Sequence, residues 1–295
     1  MHGRDGARRA TAMLAIALAA AAACGKHSPA PPPAAAWRDQ YVFIADDGTV
    51  VPLVLWRSAS GDAEAKGWLG RVGRWQQRFY HRYTVPREAA PSPGASLRAL
   101  SQSTGTPVRG RIESTGAGLS LELRMRSSAM TLAAGALDEL GRAPDPEGAL
   151  LYRAGRATLT TGGETLRGWL LVEQTPSAEP LAPFVDYGDF LLLFAATRDR
   201  VIVVRQSRTT PGFDQAFERS ADGAPHALAA ARADRSDGRV RLRDGNRELA
   251  ALAIRDVSRS QGVAPGGQPV RYEVLLLGGG GWSGAAFAIR PAAAP

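Results

Sequence analysis

Cysteine is almost absent: Cys24 is the only one in 295 residues. No internal disulfide can form, and no pair of thiolates can hold a metal. Histidine is scarce too. His27, His81 and His226 lie far apart after the first residues, so no histidine cluster has metal-ligand spacing. Lysine is limited to Lys26 and Lys66, and neither ends a glycine-rich phosphate loop. No apolar pattern of period 3.6 runs long enough for a major helix; residues 136–141 allow one helical turn at most. Gly281-Trp282-Ser283-Gly284-Ala285 comes near the hydrolase elbow but lacks its last glycine, and no histidine follows Ser283. It reads as the turn side of a terminal hairpin. No catalytic residue, metal or cofactor is expected from these patterns.

What is present begins at the N-terminus. Arg4, Arg8 and Arg9 precede an apolar run over 12–23. This is the layout of an export signal, and the run is shorter than the ~20 residues a membrane-spanning helix needs. The junction Ala21-Ala22-Ala23-Cys24-Gly25 resembles the lipobox of bacterial lipoproteins, although Ala21 stands where that family prefers leucine. The resemblance implies cleavage before Cys24 and its acylation, with chains such as palmitate. Thioether linkage would also remove a lone reactive thiol from an exported protein. Gly25 after the cysteine implies sorting to the outer membrane, facing the periplasm. An ordinary secretory cut that leaves Cys24 free is the alternative.

The formal net charge is +8, and arginine supplies nearly all of the positive charge. The arginines are scattered, which argues against nucleic acid as a partner; anionic lipid headgroups are the more natural counterpart. Residues 24–36 hold the lipidated cysteine and a tether with Pro29, Pro31, Pro32 and Pro33. Such a segment favours extended polyproline II and reaches up to ~35 Å. The tail 292–295 is expected to be disordered.

Between them, period-2 alternation dominates. Leu119, Leu121 and Leu123 alternate with Ser120, Glu122 and Arg124; Val240 and Leu242 sit between Arg239, Arg241 and Arg243. Val270, Tyr272 and Val274 alternate with Arg271 and Glu273, read here as a dry face and a wet one. Asp46-Asp47-Gly48, Gly162-Gly163 and the glycines 278–281 supply the positive φ of tight hairpins. The expected fold is all-β and antiparallel: lipocalin-like barrels or a curled β-sandwich, twelve to fifteen strands in all. Proline and glycine over 136–149 suggest a linker between an N-terminal β-domain, 37–135, and a C-terminal one, 150–291.

Two stretches invite a binding reading. In 74–83, Trp75, Phe79, His81 and Tyr83 share one face, an aromatic wall with sparse polar tips suited to an apolar ligand. The plain alternative is packed core whose tips reach backbone groups. In the second, Gly168-Trp169 leads to Glu173, and Tyr187 follows after a loop. Glu173 shares a face with Trp169 and Leu171. It is read either as a carboxyl desolvated by apolar neighbours, able to act as an acid, or as a strand-end charge in water.

Gly168, Trp169, Glu173 and the strand pair 190–197 and 201–206 resemble the carotenoid hydratase and AttH-like family over about 150–255. That resemblance implies two lipocalin-like domains with a cavity for apolar molecules. The family's segment contains a histidine that is missing here, so its activity is not carried over. The expectation is a lipoprotein that binds an apolar or amphipathic, lipid-like molecule without catalysis. The rivals are an envelope scaffold that meets other proteins, and a carboxylate-dependent hydratase, isomerase or hydrolase using Glu173 and Asp186. The sequence identifies no protein partner.

Overall fold

The computed structural model describes residues 37–57, 62–84, 100–101, 110–115, 118–124, 129–145, 148–174, 190–207, 214–263 and 269–292. The signal, Cys24, the tether, Tyr187 and residues 293–295 lie outside them, as do the side chains of Phe79, His81 and Tyr83.

Every described element is a strand. In chain order they are β1 (Trp37–Ala45), β2 (Val50–Arg57), β3 (Asp62–Arg71), β4 (Arg74–Thr84), β5 (Leu100–Ser101), β6 (Gly110–Thr115), β7 (Gly118–Arg124), β8 (Ala129–Ala134), β9 (Asp138–Asp145), β10 (Gly148–Thr161) and β11 (Glu164–Gln174). A second set follows: β12 (Phe190–Ala196), β13 (Arg200–Ser207), β14 (Gln215–Ser220), β15 (His226–Ala227), β16 (Ala231–Ser236), β17 (Arg239–Asp244), β18 (Arg247–Val263), β19 (Pro269–Gly279) and β20 (Trp282–Pro291).

The first set forms an 11-stranded sheet of order β4-β3-β2-β1-β11-β10-β8-β7-β6-β5, with β9 paired to β10. The second forms a 9-stranded sheet of order β15-β14-β13-β12-β20-β19-β18-β17-β16. All pairings are antiparallel, so the fold is all-β, as the alternation predicts. The first sheet ends with β11 and the second begins with β12. Residues 136–149, expected to separate two domains, instead contain β9 and the start of β10, inside the first sheet. The helical turn expected at 136–141 is likewise replaced by β9, whose register with β10 runs from Asp138 to Asp145.

Twenty strands among the described residues exceed the twelve to fifteen expected, because two-residue strands such as β5 and β15 are too short to show a period. Expected turns do appear. Gly162 and Gly163 take φ of +59° and +82° between β10 and β11, and Gly280 and Gly281 take +61° and +81° between β19 and β20. Ser283 therefore sits one residue into a strand, paired with Gly278, at the terminal hairpin.

Three apolar clusters follow from strand parity. Val42, Ile44, Trp169 and Leu171 of the first sheet meet Phe190, Leu192, Phe194, Val203 and Leu276 of the second, forming a seam between the sheets. Alternate residues of the same strands fill each sheet's concave side. Tyr41, Phe43, Leu170 and Val172 do so in the first, and Leu191, Leu193, Leu275 and Leu277 in the second. A strand buried on both faces must be apolar at consecutive positions. This explains the runs Phe190–Ala196 and Leu275-Leu276-Leu277, every residue of which is buried.

The second sheet curls until β13 approaches β16. The Gln206 side chain bridges the two: its Nε2 donates to the Ala233 carbonyl at 2.7 Å, and its Oε1 accepts from the Ala233 N–H at 2.8 Å. One side-chain amide thus takes the place of a missing ladder pair.

Candidate functional site

Two polar constellations interrupt this apolar body, both at the end where β11 finishes and β12 begins. The first lies in the seam. Glu173 is in phase with Trp169 and Leu171, and so faces the second sheet; it is 1% exposed. Arg205, in phase with Val201 and Val203, approaches it from β13, with Nη1 3.5 Å from Glu173 Oε2. Gln40 Nε2 of β1 donates to Glu173 Oε1 at 3.1 Å. Tyr152 of β10 is fully buried beside the pair and packs against Phe217 with ring centroids 5.3 Å apart. Burial, reinforced by the charge of Glu173, pushes the Tyr152 hydroxyl well above its ordinary range, so it stays protonated. The Arg205 guanidinium also lies 5.7 Å from the Phe190 ring centre. Of the two readings of Glu173, the structure excludes a strand-end charge in water. It places the carboxylate in a dry ion pair. The sequence gives no signal for Gln40, Tyr152 and Arg205, because they are far apart along the chain: strand pairing brings Gln40 and Tyr152 beside Glu173, and the seam between the sheets brings Arg205.

The aromatic residues of the binding reading serve several places. Trp75 is half-buried against the seam, and its Nε1 donates to the Val274 carbonyl at 3.3 Å. Its backbone N–H donates to Asp256 Oδ2 at 2.7 Å. Trp68 donates to Ser258 Oγ at 2.9 Å. These bonds join β3 and β4 to β18 and β19, which is how buried indoles ordinarily satisfy their polar tips. Trp169 donates to the Arg198 carbonyl at 3.1 Å, and the Arg156 guanidinium covers its ring at 5.1 Å. It lies at the other end of the seam from Glu173. Gly168 precedes it because a Cβ there would stand 2.1 Å from the Ile44 carbonyl oxygen of β1.

The second constellation lies at the open end of the second sheet. Glu273 is in phase with Leu275 and Leu277, so it points to the concave side, where its side chain is 3% exposed. The face read from sequence as wet is therefore this sheet's inner wall. A signal was present: Leu275-Leu276-Leu277 has no wet side, so both faces of β19 must be covered. Arg235 Nη1 lies 2.5 Å from Glu273 Oε2, and Arg259 Nε 3.1 Å from Oε1. Burial alone would raise the Glu273 carboxyl; the two guanidiniums outweigh it and hold the group below its ordinary value. A cavity of about 20 Å³ adjoins this ion cluster, lined by Phe190, Leu191, Gln206, Arg235, Ala288 and Arg290. That volume admits one water-sized group.

No family model and no curated protein matches this chain. Solved structures do. A protein described as an AttH from Nitrosomonas europaea aligns over 90% of this chain and 98% of its own, with TM-score 0.51 and 13% identity. CghA aligns over 87% and 88%, with TM-score 0.49 and 11% identity. Kievitone hydratase from Nectria haematococca aligns over 90% and 92%, with TM-score 0.46 and 11% identity. The likeness to the Nitrosomonas protein is one of fold: two curled antiparallel sheets of lipocalin-like type, as the resemblance in the sequence implied.

Proposed function

We propose that this protein is an envelope lipoprotein, anchored to the outer membrane through acylated Cys24, that binds an apolar or amphipathic small molecule without transforming it. The observation carrying the binding reading is the inner wall of the second sheet. It runs from an apolar floor of Leu191, Leu275 and Ala288 to a polar rim of Gln206, Arg235 and Glu273, with a cavity at the junction. Apolar wall with a few placed polar groups is the ordinary composition of a small-molecule site. Mass spectrometry of lipids co-extracted with the full chain tests this reading. A stoichiometric amphiphile supports it, and extracts indistinguishable from those of an unrelated lipoprotein would count against it.

The anchoring part has its own test. Each buried acyl CH₂ contributes ~0.8 kcal/mol, so two or three chains hold a protein on a bilayer essentially irreversibly. Cys24→Ser is expected to abolish acylation and release the chain from the membrane fraction. An unchanged mass and unchanged membrane association would refute it.

A second reading is carboxylate-dependent chemistry at Glu173. Its support is the burial of that group beside Tyr152, whose hydroxyl keeps its proton. Incubating the co-extracted molecule with wild type and with Glu173→Gln discriminates. A product heavier by one water, formed only by wild type, would establish a hydratase.

A further inference from the structure

The rim of the second sheet carries more positive charge than its own carboxylate can balance. Arg235, Arg259 and Arg271 all stand in phase with residues of the concave cluster, and all converge on Glu273. Arg235 and Arg259 hydrogen-bond it. Arg271 reaches only to 3.8 Å, too far for a hydrogen bond, and its Nε is buried without an acceptor. Among the described residues, three guanidiniums around this one carboxylate leave an excess of two positive charges.

The ladder sharpens this. Arg271 of β19 is directly opposite Arg290 of β20, and parity puts both on the inner face. Buried donors without acceptors are rare in folded proteins. An anion seated between β18, β19 and β20 would give the Arg271 Nε its acceptor. Arg235 and Arg290 also line the small cavity, whose other walls include Leu191, Phe190 and Ala288. A planar guanidinium presents paired donors to two oxygens at once, which suits a carboxylate or a phosphate.

We propose that the open end of the second sheet is an anion site, built by Arg235, Arg259 and Arg271, that takes the carboxylate or phosphate head of an amphipathic ligand. The inference rests on the binding reading above and adds the chemical class of the head. The cavity is sized for a head oxygen, with Leu191 and Ala288 as the apolar wall beside it.

The test is titration calorimetry of the full chain at low ionic strength with octanoate, octyl phosphate, octanol and inorganic phosphate. Thermal melts run in parallel. Octanoate and octyl phosphate are expected to bind at least about tenfold more tightly than octanol, and Arg271→Gln to erase that difference, as a charge-assisted hydrogen bond warrants. Added salt should weaken the anions and leave octanol unchanged. Without ligand, Arg271→Gln is expected to melt no lower than wild type, since the Arg271 Nε makes no hydrogen bond that the change would break. Equal binding of octanol and octanoate, both unmoved by Arg271→Gln, overturns the anion site and leaves amphiphile binding intact. Binding of inorganic phosphate that depends on Arg271, with no response to any octyl compound, keeps the anion site and overturns the amphiphile. A marked loss of stability in Arg271→Gln, with no anion response in wild type, makes Arg271 structural and ends the proposal.

Discussion

Glu173 and Glu273 are both buried glutamates paired with arginine, yet they behave differently. Glu173 sits in the seam, where Arg205 is 3.5 Å away and water is excluded. Removing one partner of such a pair leaves an uncompensated buried charge, which costs about 3–5 kcal/mol. Glu173→Leu alone and Arg205→Met alone are each expected to lower unfolding free energy by about that much, whereas the two together should cost far less. Urea denaturation of the four species in a double-mutant cycle measures the difference, and additive losses would show that the pair does not act as a unit. Glu273 lies at the rim, and its carboxyl is held below its ordinary value. The folded state therefore favours the carboxylate more than the unfolded state does. That stabilisation is complete above the ordinary value of 4.5 and is lost as pH falls below it, through the lower folded value. Stability measured between pH 5 and about 3 should fall more steeply in wild type than in Glu273→Gln. Parallel acid limbs would deny the rim cluster any part in acid unfolding.

Among elements, period-2 patterns were legible wherever one face is polar. Val240 and Leu242 point to the concave cluster, while Arg239, Arg241 and Arg243 point away from it, as the alternation of β17 predicts. Patterns failed where both faces are covered. Alternation then says which residues share a face, but not that both faces are covered: the dry face of β19 is buried in the seam as expected, while the face expected to be wet lines the inner wall. The switch between sheets was illegible for a related reason. Proline and glycine over 136–149 look like a boundary, yet β9 tolerates them because it is a short flanking strand paired on β10. Closure of the second sheet could not be read at all, since it depends on one polar side chain. Gln206→Leu removes both bonds to Ala233 and leaves its N–H and carbonyl without those partners. A cost of about 1–3 kcal/mol is expected, with faster amide exchange at Ala233 and unchanged strand content. Unaltered exchange at Ala233 would show that β13 and β16 are held by something else.

At the scale of the molecule, the seam makes the two sheets interdependent. Val42, Ile44 and Trp169 on one side and Phe190, Leu192 and Phe194 on the other belong to one cluster. Separately produced 1–174 and 175–295 would each expose that apolar face. Neither is expected to melt cooperatively alone, and mixing them should restore a transition. Two independent transitions in the separate pieces would refute the shared core. The pairing of β1 with β11 has a further consequence, in time rather than in space. Asp39 lies opposite Gln174 and Tyr41 opposite Val172, so the first strand of the body waits for a partner more than a hundred positions later. Contacts this distant along the chain slow folding, because the loop must close before any bond rewards it. During synthesis β1 and β2 emerge first, with one edge unpaired and apolar residues on both faces of β1, and they stay so until β11 has been made. Such an edge is the kind of surface that pairs with the wrong neighbour. The interval between the arrival of β1 and that of β11 is thus when this chain is most exposed to misfolding, and when a chaperone would have most to do.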